Sequence, residues 1–222
     1  ALIETSKDYI KVNESSYLYP YTLVESDWSS VSYLFLSFLF SKLNSITITS
    51  FIQNSEQPDS QLINLFAFLG IITTYDNNIL ILKKKKIEYP DTLELDFNDN
   101  PDLCLTLIVA CLGLGIKLIA TGVHTLKYKE SDRIQSLKNE LEKFNCYLDV
   151  VSSDKIIVNH TKNTQSNCII AINSYSDHRI ALAFSPLVLL GYKLKIDNYK
   201  VVSKSYPNFF NDLKKFGVII VK

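Results

Sequence analysis

Two kinds of apolar pattern take turns along this chain. Short β-branched or alternating runs such as Ser45–Thr49 carry the two-residue period of a strand, whereas Ile134, Leu137, Leu141 and Phe144 recur at three- and four-residue steps, one face of a helix. Read this way, strands are predicted over Tyr21–Val24, Ser45–Thr49, Leu93–Asp96, Lys117–Thr121, Cys168–Ile172, Lys193–Ile196 and Val218–Val221. Helices are predicted over Trp28–Leu43, Gln61–Leu69, Asp102–Cys111, Asp132–Phe144, His178–Leu190 and Asn208–Phe216. Ile71–Thr74 and Ile79–Leu82 flank Tyr-Asp-Asn-Asn, whose Asp and Asn residues tolerate positive φ, so they predict a hairpin. Tyr147–Val151 and Ile156–Val158 predict another.

The elements return in the same order. They predict an α/β fold of three βαβαββ-type units, the last lacking its final strand. Asp27, Asp102 and Asp177 stand 75 residues apart, each at the start of the first helix of a unit. All three are expected to cap their helices by accepting backbone N–H bonds. Equal spacing says that similar units are stacked. It does not say what they do.

Composition narrows the classes. The 222 residues are 47% hydrophobic, a folded chain with a substantial core. Lysine plus arginine number 23 and aspartate plus glutamate 23, so no bulk field favours nucleic acid or an anionic membrane. No run approaches the roughly 18 to 20 apolar residues of a membrane span, and no secretion signal is visible. Cys104, Cys111, Cys146 and Cys168 have no CxxC spacing and read as buried thiols in a reducing, cytoplasmic compartment. The run Lys83–Lys86 reads as a solvated edge, and Thr161–Asn167 as a polar loop. Phosphate-loop and dinucleotide glycine motifs are absent, and three histidines without ligand spacing argue against zinc. No methionine occurs anywhere, so the chain is expected to be a piece of something longer.

Charge gathers most densely in Lys127-Tyr-Lys-Glu-Ser-Asp-Arg133, between a strand and a helix. Such a run is either a solvated connection or an anion site, since free N–H groups and the positive dipole end lie at a helix start. Three further clusters fall at equivalent places: Asn100-Pro-Asp102, Tyr175-Ser-Asp-His-Arg179 and Ser203-Lys-Ser-Tyr-Pro-Asn-Phe-Phe210. In a repeat of this kind the turns share one end of the domain, which gathers Asp102, Lys129, Glu130, Arg133, His178, Arg179 and Lys204. Arginine pairs with phosphate or carboxylate in a two-pronged geometry, lysine acts as a point charge, and a carboxylate among cations can serve as a base. The four clusters together favour the anion site.

Four stretches resemble motifs of the 5-enolpyruvylshikimate-3-phosphate synthase family, in the family's order. They are Glu25-Ser-Asp-Trp-Ser-Ser-Val-Ser-Tyr33, Lys129-Glu-Ser-Asp-Arg-Ile134, Ser176-Asp-His-Arg-Ile-Ala-Leu-Ala183 and Lys204-Ser-Tyr-Pro-Asn-Phe-Phe210. The resemblance implies the enolpyruvyl transferase fold, an inside-out α/β barrel of two similar domains with the active site between them. It implies transfer of the enolpyruvyl group of phosphoenolpyruvate to the 5-hydroxyl of shikimate 3-phosphate, with release of phosphate, no metal and no organic cofactor. Glyphosate would compete for the phosphoenolpyruvate site.

By motif, Asp102 resembles the proton acceptor facing the shikimate hydroxyl, and Glu130 its partner in proton transfer. Lys129 resembles a contact to shikimate 3-phosphate, and Thr125 stands where the family often places a further polar contact. Arg133, Arg179 and Lys204 resemble the cations that hold phosphoenolpyruvate, with His178 beside them. The family's chain is about twice as long. Residues 1–25 are therefore expected to be the tail of the other domain and hinge, and 26–222 one nearly complete domain. The missing N-terminal half would be its partner, in an enzyme that is monomeric at full length. A related transferase acting on UDP-N-acetylglucosamine fits less well, because it uses a loop cysteine and lacks Lys-Glu-Ser-Asp-Arg. A non-catalytic remnant is disfavoured too, because every charged motif position is intact.

Overall fold

The computed structural model describes residues 2–16, 24–160 and 168–221. It opens on a short antiparallel hairpin that the pattern did not predict, β1 (Ile3–Thr5) with β2 (Ile10–Val12). Then come α1 (Trp28–Phe40), β3 (Ser45–Thr49), α2 (Leu62–Ala67), β4 (Ile71–Asp76) and β5 (Ile79–Lys84). Next are β6 (Thr92–Asp96), α3 (Leu103–Leu114), β7 (Lys117–Thr121), α4 (Arg133–Glu142), β8 (Cys146–Ser152) and β9 (Lys155–His160). The chain closes with β10 (Ile169–Ile172), α5 (His178–Phe184), β11 (Lys193–Ile196) and α6 (Phe209–Lys215).

Residues 92–160 hold the whole β-α-β-α-β-β order. Their sheet runs β6-β7-β9-β8; β6 and β7 are parallel, joined through α3, and β8–β9 is an antiparallel hairpin against β7. Two of the remaining sheets are partial versions: β3-β5-β4 ahead of it, and the parallel pair β10-β11 behind. Strand residues alternate buried and exposed, one face toward helices and one toward water.

The helices that open the units lie inside. α1, α3 and α5 pack against one another, and Ser32 of α1 meets Thr106 of α3 at 2.9 Å between hydroxyls. Residues Leu103–Leu112 of α3 are buried on every side, as a helix apolar all round must be. Fully burying Trp28, Phe35 and Phe38 of α1 contributes roughly 1.5–3 kcal/mol each. Gly113 lets α3 approach α1 closely: a Cβ there would lie 2.3 Å from the Phe40 ring. Such helices bring their N-termini, and the residues flanking them, to one place.

Several expectations need correction. Val218–Val221 forms no strand; it follows α6 without regular structure, Val218 packed against the core and Ile219 and Val221 exposed. The helix expected over His178–Leu190 tightens into a 3₁₀ turn from Ser185, where Pro186 removes a backbone donor. Lys83, Lys85 and Lys86 are exposed, as a solvated run should be, but β5 is the central strand of its sheet and not an edge. Lys84 is half-buried, donates to the Ser41 carbonyl and sits 5.2 Å above the Phe38 ring. Cys104, Cys111 and Cys146 are buried as expected, but Cys168 is exposed. The strand expected at Tyr21–Val24 and the loop at Thr161–Asn167 lie outside the described residues, apart from Val24, which is in no strand.

Candidate active site

The site begins with an aspartate that does not do what its position suggests. Asp27 and Asp177 cap α1 and α5: Asp27 accepts from the Ser29 and Ser30 N–H groups, Asp177 from that of Arg179. Asp102 opens α3 but makes no capping bond, which corrects the expectation for the third of the set. Its oxygens face cations instead. Oδ1 lies 2.7 Å from Arg133 and 3.4 Å from Lys129, and Oδ2 lies 3.1 Å from Arg179.

Arg133 is the hub. Asp132 caps α4 by accepting the Gln135 N–H at 3.1 Å, which sets Arg133 in the helix's first turn with its side chain only 2% exposed. One end of the guanidinium holds Asp102, and Nε donates to Asp177 at 2.8 Å. The Ser131 hydroxyl also donates to Asp177, at 3.1 Å. Across the cleft Glu130 accepts from His178 Nδ1 at 2.8 Å, and its other oxygen pairs with Lys204.

Electrostatics follow the geometry. Burial works to raise the Asp102 carboxyl, but Arg179, Arg133 and Lys129 outweigh it and hold the group below its ordinary value. Glu130 is lowered in the same way, by Lys204 and His178 against burial, and Asp177 by Arg133, the Arg179 amide and Ser131. Arg179 is raised: burial opposes its charge, but Tyr33, Asp102 and Asp59 favour it more strongly. All three site carboxylates are therefore ionised at neutral pH.

Asp102, Lys129, Glu130, Arg133, His178 and Arg179 line one cavity of about 390 Å³. Lys204 joins them through Glu130, with its own side chain 60% exposed. Thr125 does not line the cavity. It sits in a 3₁₀ turn, His124–Tyr128, its hydroxyl buried and without a hydrogen-bond partner among the described residues. Ligand atoms of Glu130, Asp177 and His178 lie within 4.8 Å of one another, as a metal would need. Lys204 and Arg133 already neutralise those two carboxylates, so the trio belongs to the ion-pair network.

A sequence profile described as EPSP synthase (3-phosphoshikimate 1-carboxyvinyltransferase) matches residues 1–213. The chain belongs to the EPSP synthase family. The 3-phosphoshikimate 1-carboxyvinyltransferase of Bacteroides fragilis (strain YCH46) is 38% identical over 214 residues, covering 96% of this chain and 52% of that protein. The enzyme of the same name from Buchnera aphidicola subsp. Baizongia pistaciae is 33% identical, covering 94% and 48%. The chain thus spans about half the length of the curated relatives it matches. Among solved structures, an EPSP synthase from Acinetobacter baumannii superposes with a TM-score of 0.68 at 21% identity, over 96% of this chain and 51% of that one. The enolpyruvyl transferase NikO from Streptomyces tendae reaches 0.61 at 12% identity, over 87% and 43%. These two likenesses establish the EPSP synthase fold, and the sequence matches establish the family.

Other members of this site escaped the sequence reading. Asp177 has a place there as a cap and a motif residue but no role at the site, yet it also anchors Arg133. Tyr33 and Asp59 stand behind Arg179 and favour its charge. Asp59 is buried, accepts from the Ser29 hydroxyl, and is raised by that burial. A lone Asp ahead of a short helix gives no sequence signal of this.

Proposed function

We propose that this cavity is one wall of a 3-phosphoshikimate 1-carboxyvinyltransferase site, and that a complementary half of the enzyme supplies the other wall. The reaction joins the 5-hydroxyl oxygen of shikimate 3-phosphate to C2 of phosphoenolpyruvate while its methylene carbon gains a proton. Loss of that proton equivalent and of phosphate then restores the enol ether. The observation that carries the reading is Asp102, freed from capping and surrounded by three cations.

Arg133, Arg179 and Lys204 hold the carboxylate and phosphate of phosphoenolpyruvate, with His178 beside them. Lys129 faces shikimate 3-phosphate, whereas Thr125, buried outside the cavity, takes no part in this reading. Asp102 takes the hydroxyl proton and Glu130 serves the proton moves at the methylene carbon. A carboxylate held low by three cations is a weak base when the site is empty. Substrate anions that engage those cations remove part of that hold and raise its basicity as the complex forms. The same cations stabilise charge developing at the tetrahedral intermediate. The assembled enzyme on this reading is a cytoplasmic monomer that uses no metal or organic cofactor.

The test is phosphate release from phosphoenolpyruvate and shikimate 3-phosphate. The chain alone is expected to give negligible turnover. Mixed with the complementary half it should turn over, in a manner strongly reduced by Asp102→Asn and inhibited by glyphosate. A mixture that binds both substrates yet releases phosphate equally well without Asp102 would falsify the assignment.

A further inference from the structure

Two successive residues ahead of the cavity, Tyr175 and Ser176, have φ of 55° and 56°. Neither is glycine, and such left-handed residues persist only where their surroundings over-determine them. Much of what surrounds this loop is a carboxylate that does not line the cavity. Glu140, near the end of α4, has a fully buried side chain. One oxygen accepts from the Tyr175 hydroxyl at 2.8 Å and the other from the Asn173 backbone N–H at 3.3 Å. Lys143 neutralises it, 2.8 and 2.7 Å from the two oxygens, and donates to the Ala171 carbonyl at 2.7 Å. Asn139 donates to the Tyr175 hydroxyl at 3.3 Å, and Asp197 accepts the Ser174 N–H at 2.5 Å from the other side.

This loop runs directly into Asp177, His178 and Arg179. At the opposite end of the same helix, Arg133 grips Asp177. We propose that Glu140 is a positioning residue: through Asn173 and Tyr175 it sets the loop that aims His178 and Arg179 into the cavity. With Arg133 it makes α4 a two-point clamp. The catalytic consequence rests on the proposed phosphoenolpyruvate site, whereas the clamp itself does not.

Two variants of the 222-residue chain test it. Glu140→Gln keeps the shape and removes the charge, and Tyr175→Phe removes one hydroxyl. Backbone amide exchange is followed by NMR, together with the His178 ring nitrogen signals. Losing a bond to a buried charge is expected to speed exchange at Asp177 and Arg179 roughly tenfold in Glu140→Gln, and less in Tyr175→Phe. The His178 signals should shift, and the β6–β7 amides should keep their protection. Exchange at Asp177 and Arg179 that is unchanged, or that rises only in step with β6–β7, overturns the clamp. Should Glu140→Gln fail to fold, Tyr175→Phe decides alone. Phosphoenolpyruvate titration separates the two ideas. Wild type that binds none, alone or with the complementary half, counts against the functional reading and leaves the exchange result standing. Wild-type binding that neither variant weakens overturns the positioning role.

Discussion

Helices α1 and α3 begin with equivalent aspartates that do different work. Asp27 has an extended backbone (φ −77°, ψ 115°), and its carboxylate folds back onto the Ser29 and Ser30 amides at 2.8 and 3.2 Å. Asp102 is already helical (φ −70°, ψ −24°) and its carboxylate points away, to Arg133, Lys129 and Arg179. A cap is worth about 1 kcal/mol, whereas a hydrogen bond to a charged group is worth about 1.5–3 kcal/mol, so the cations win where they are within reach. Asp177 does both jobs, one oxygen on the Arg179 amide and one on Arg133. Repetition of the fold supplies three equivalent positions. The guanidinium carried by α4 decides which become chemistry.

The largest effect should therefore come from that guanidinium. Arg133→Ala leaves Asp102 and Asp177 facing each other without their shared cation, one of them fully buried. Breaking a buried ion pair from one side costs about 3–5 kcal/mol, measurable as a lower urea midpoint. Arg133→Lys restores the charge but cannot bridge both carboxylates, so it should recover only part of the loss. A midpoint unmoved by Arg133→Ala would break the comparison outright.

Next in size is the contrast between the aspartates themselves. Asp102→Asn is expected to lower phosphate release by the assembled enzyme by about 10²- to 10⁴-fold, the usual worth of a positioned base. Phosphoenolpyruvate affinity should not fall, because a competitor for its cations has been neutralised. Asp27→Ala should do the reverse, costing about 1 kcal/mol of stability with turnover unchanged. Equal losses of turnover in both variants would mean that the two helix starts are not functionally distinct.

How far the sequence shows this division depends on which force sets each feature. Periodicity reveals α3 and β6–β7 because their burial repeats along the chain, and the motif charges reveal who meets in the cavity. It does not reveal that Asp102 is not a cap, since that depends on where Arg133, a neighbour 31 positions on, places its guanidinium. Val218–Val221 has a strand's composition but no partner strand to pair with among the described residues. Hairpin β1–β2 was missed because its six residues are all exposed, leaving no buried face to imprint an alternation. Asp59 and Glu140 were missed for the opposite reason: each is one buried polar residue whose partners come from distant segments.

The smallest effect is on pH, and it tests why Asp102 abandons its cap. Burial alone would raise its carboxyl, but the three cations bring it below the ordinary 3.8. The folded state therefore binds this proton more weakly than the unfolded chain does, and acid favours unfolding. The stabilisation is complete above 3.8 and disappears as the pH falls through the lower folded value. Wild type should exceed Asp102→Asn in stability at neutral pH, and urea titrations should show that margin shrinking as the pH falls below 3.8. The side chain is 25% exposed, so solvent screens part of the interaction and the margin stays small. A margin that grows in acid would mean that burial, not the cations, dominates at Asp102. The pull of Arg133, Lys129 and Arg179 would then not be what separates the start of α3 from that of α1.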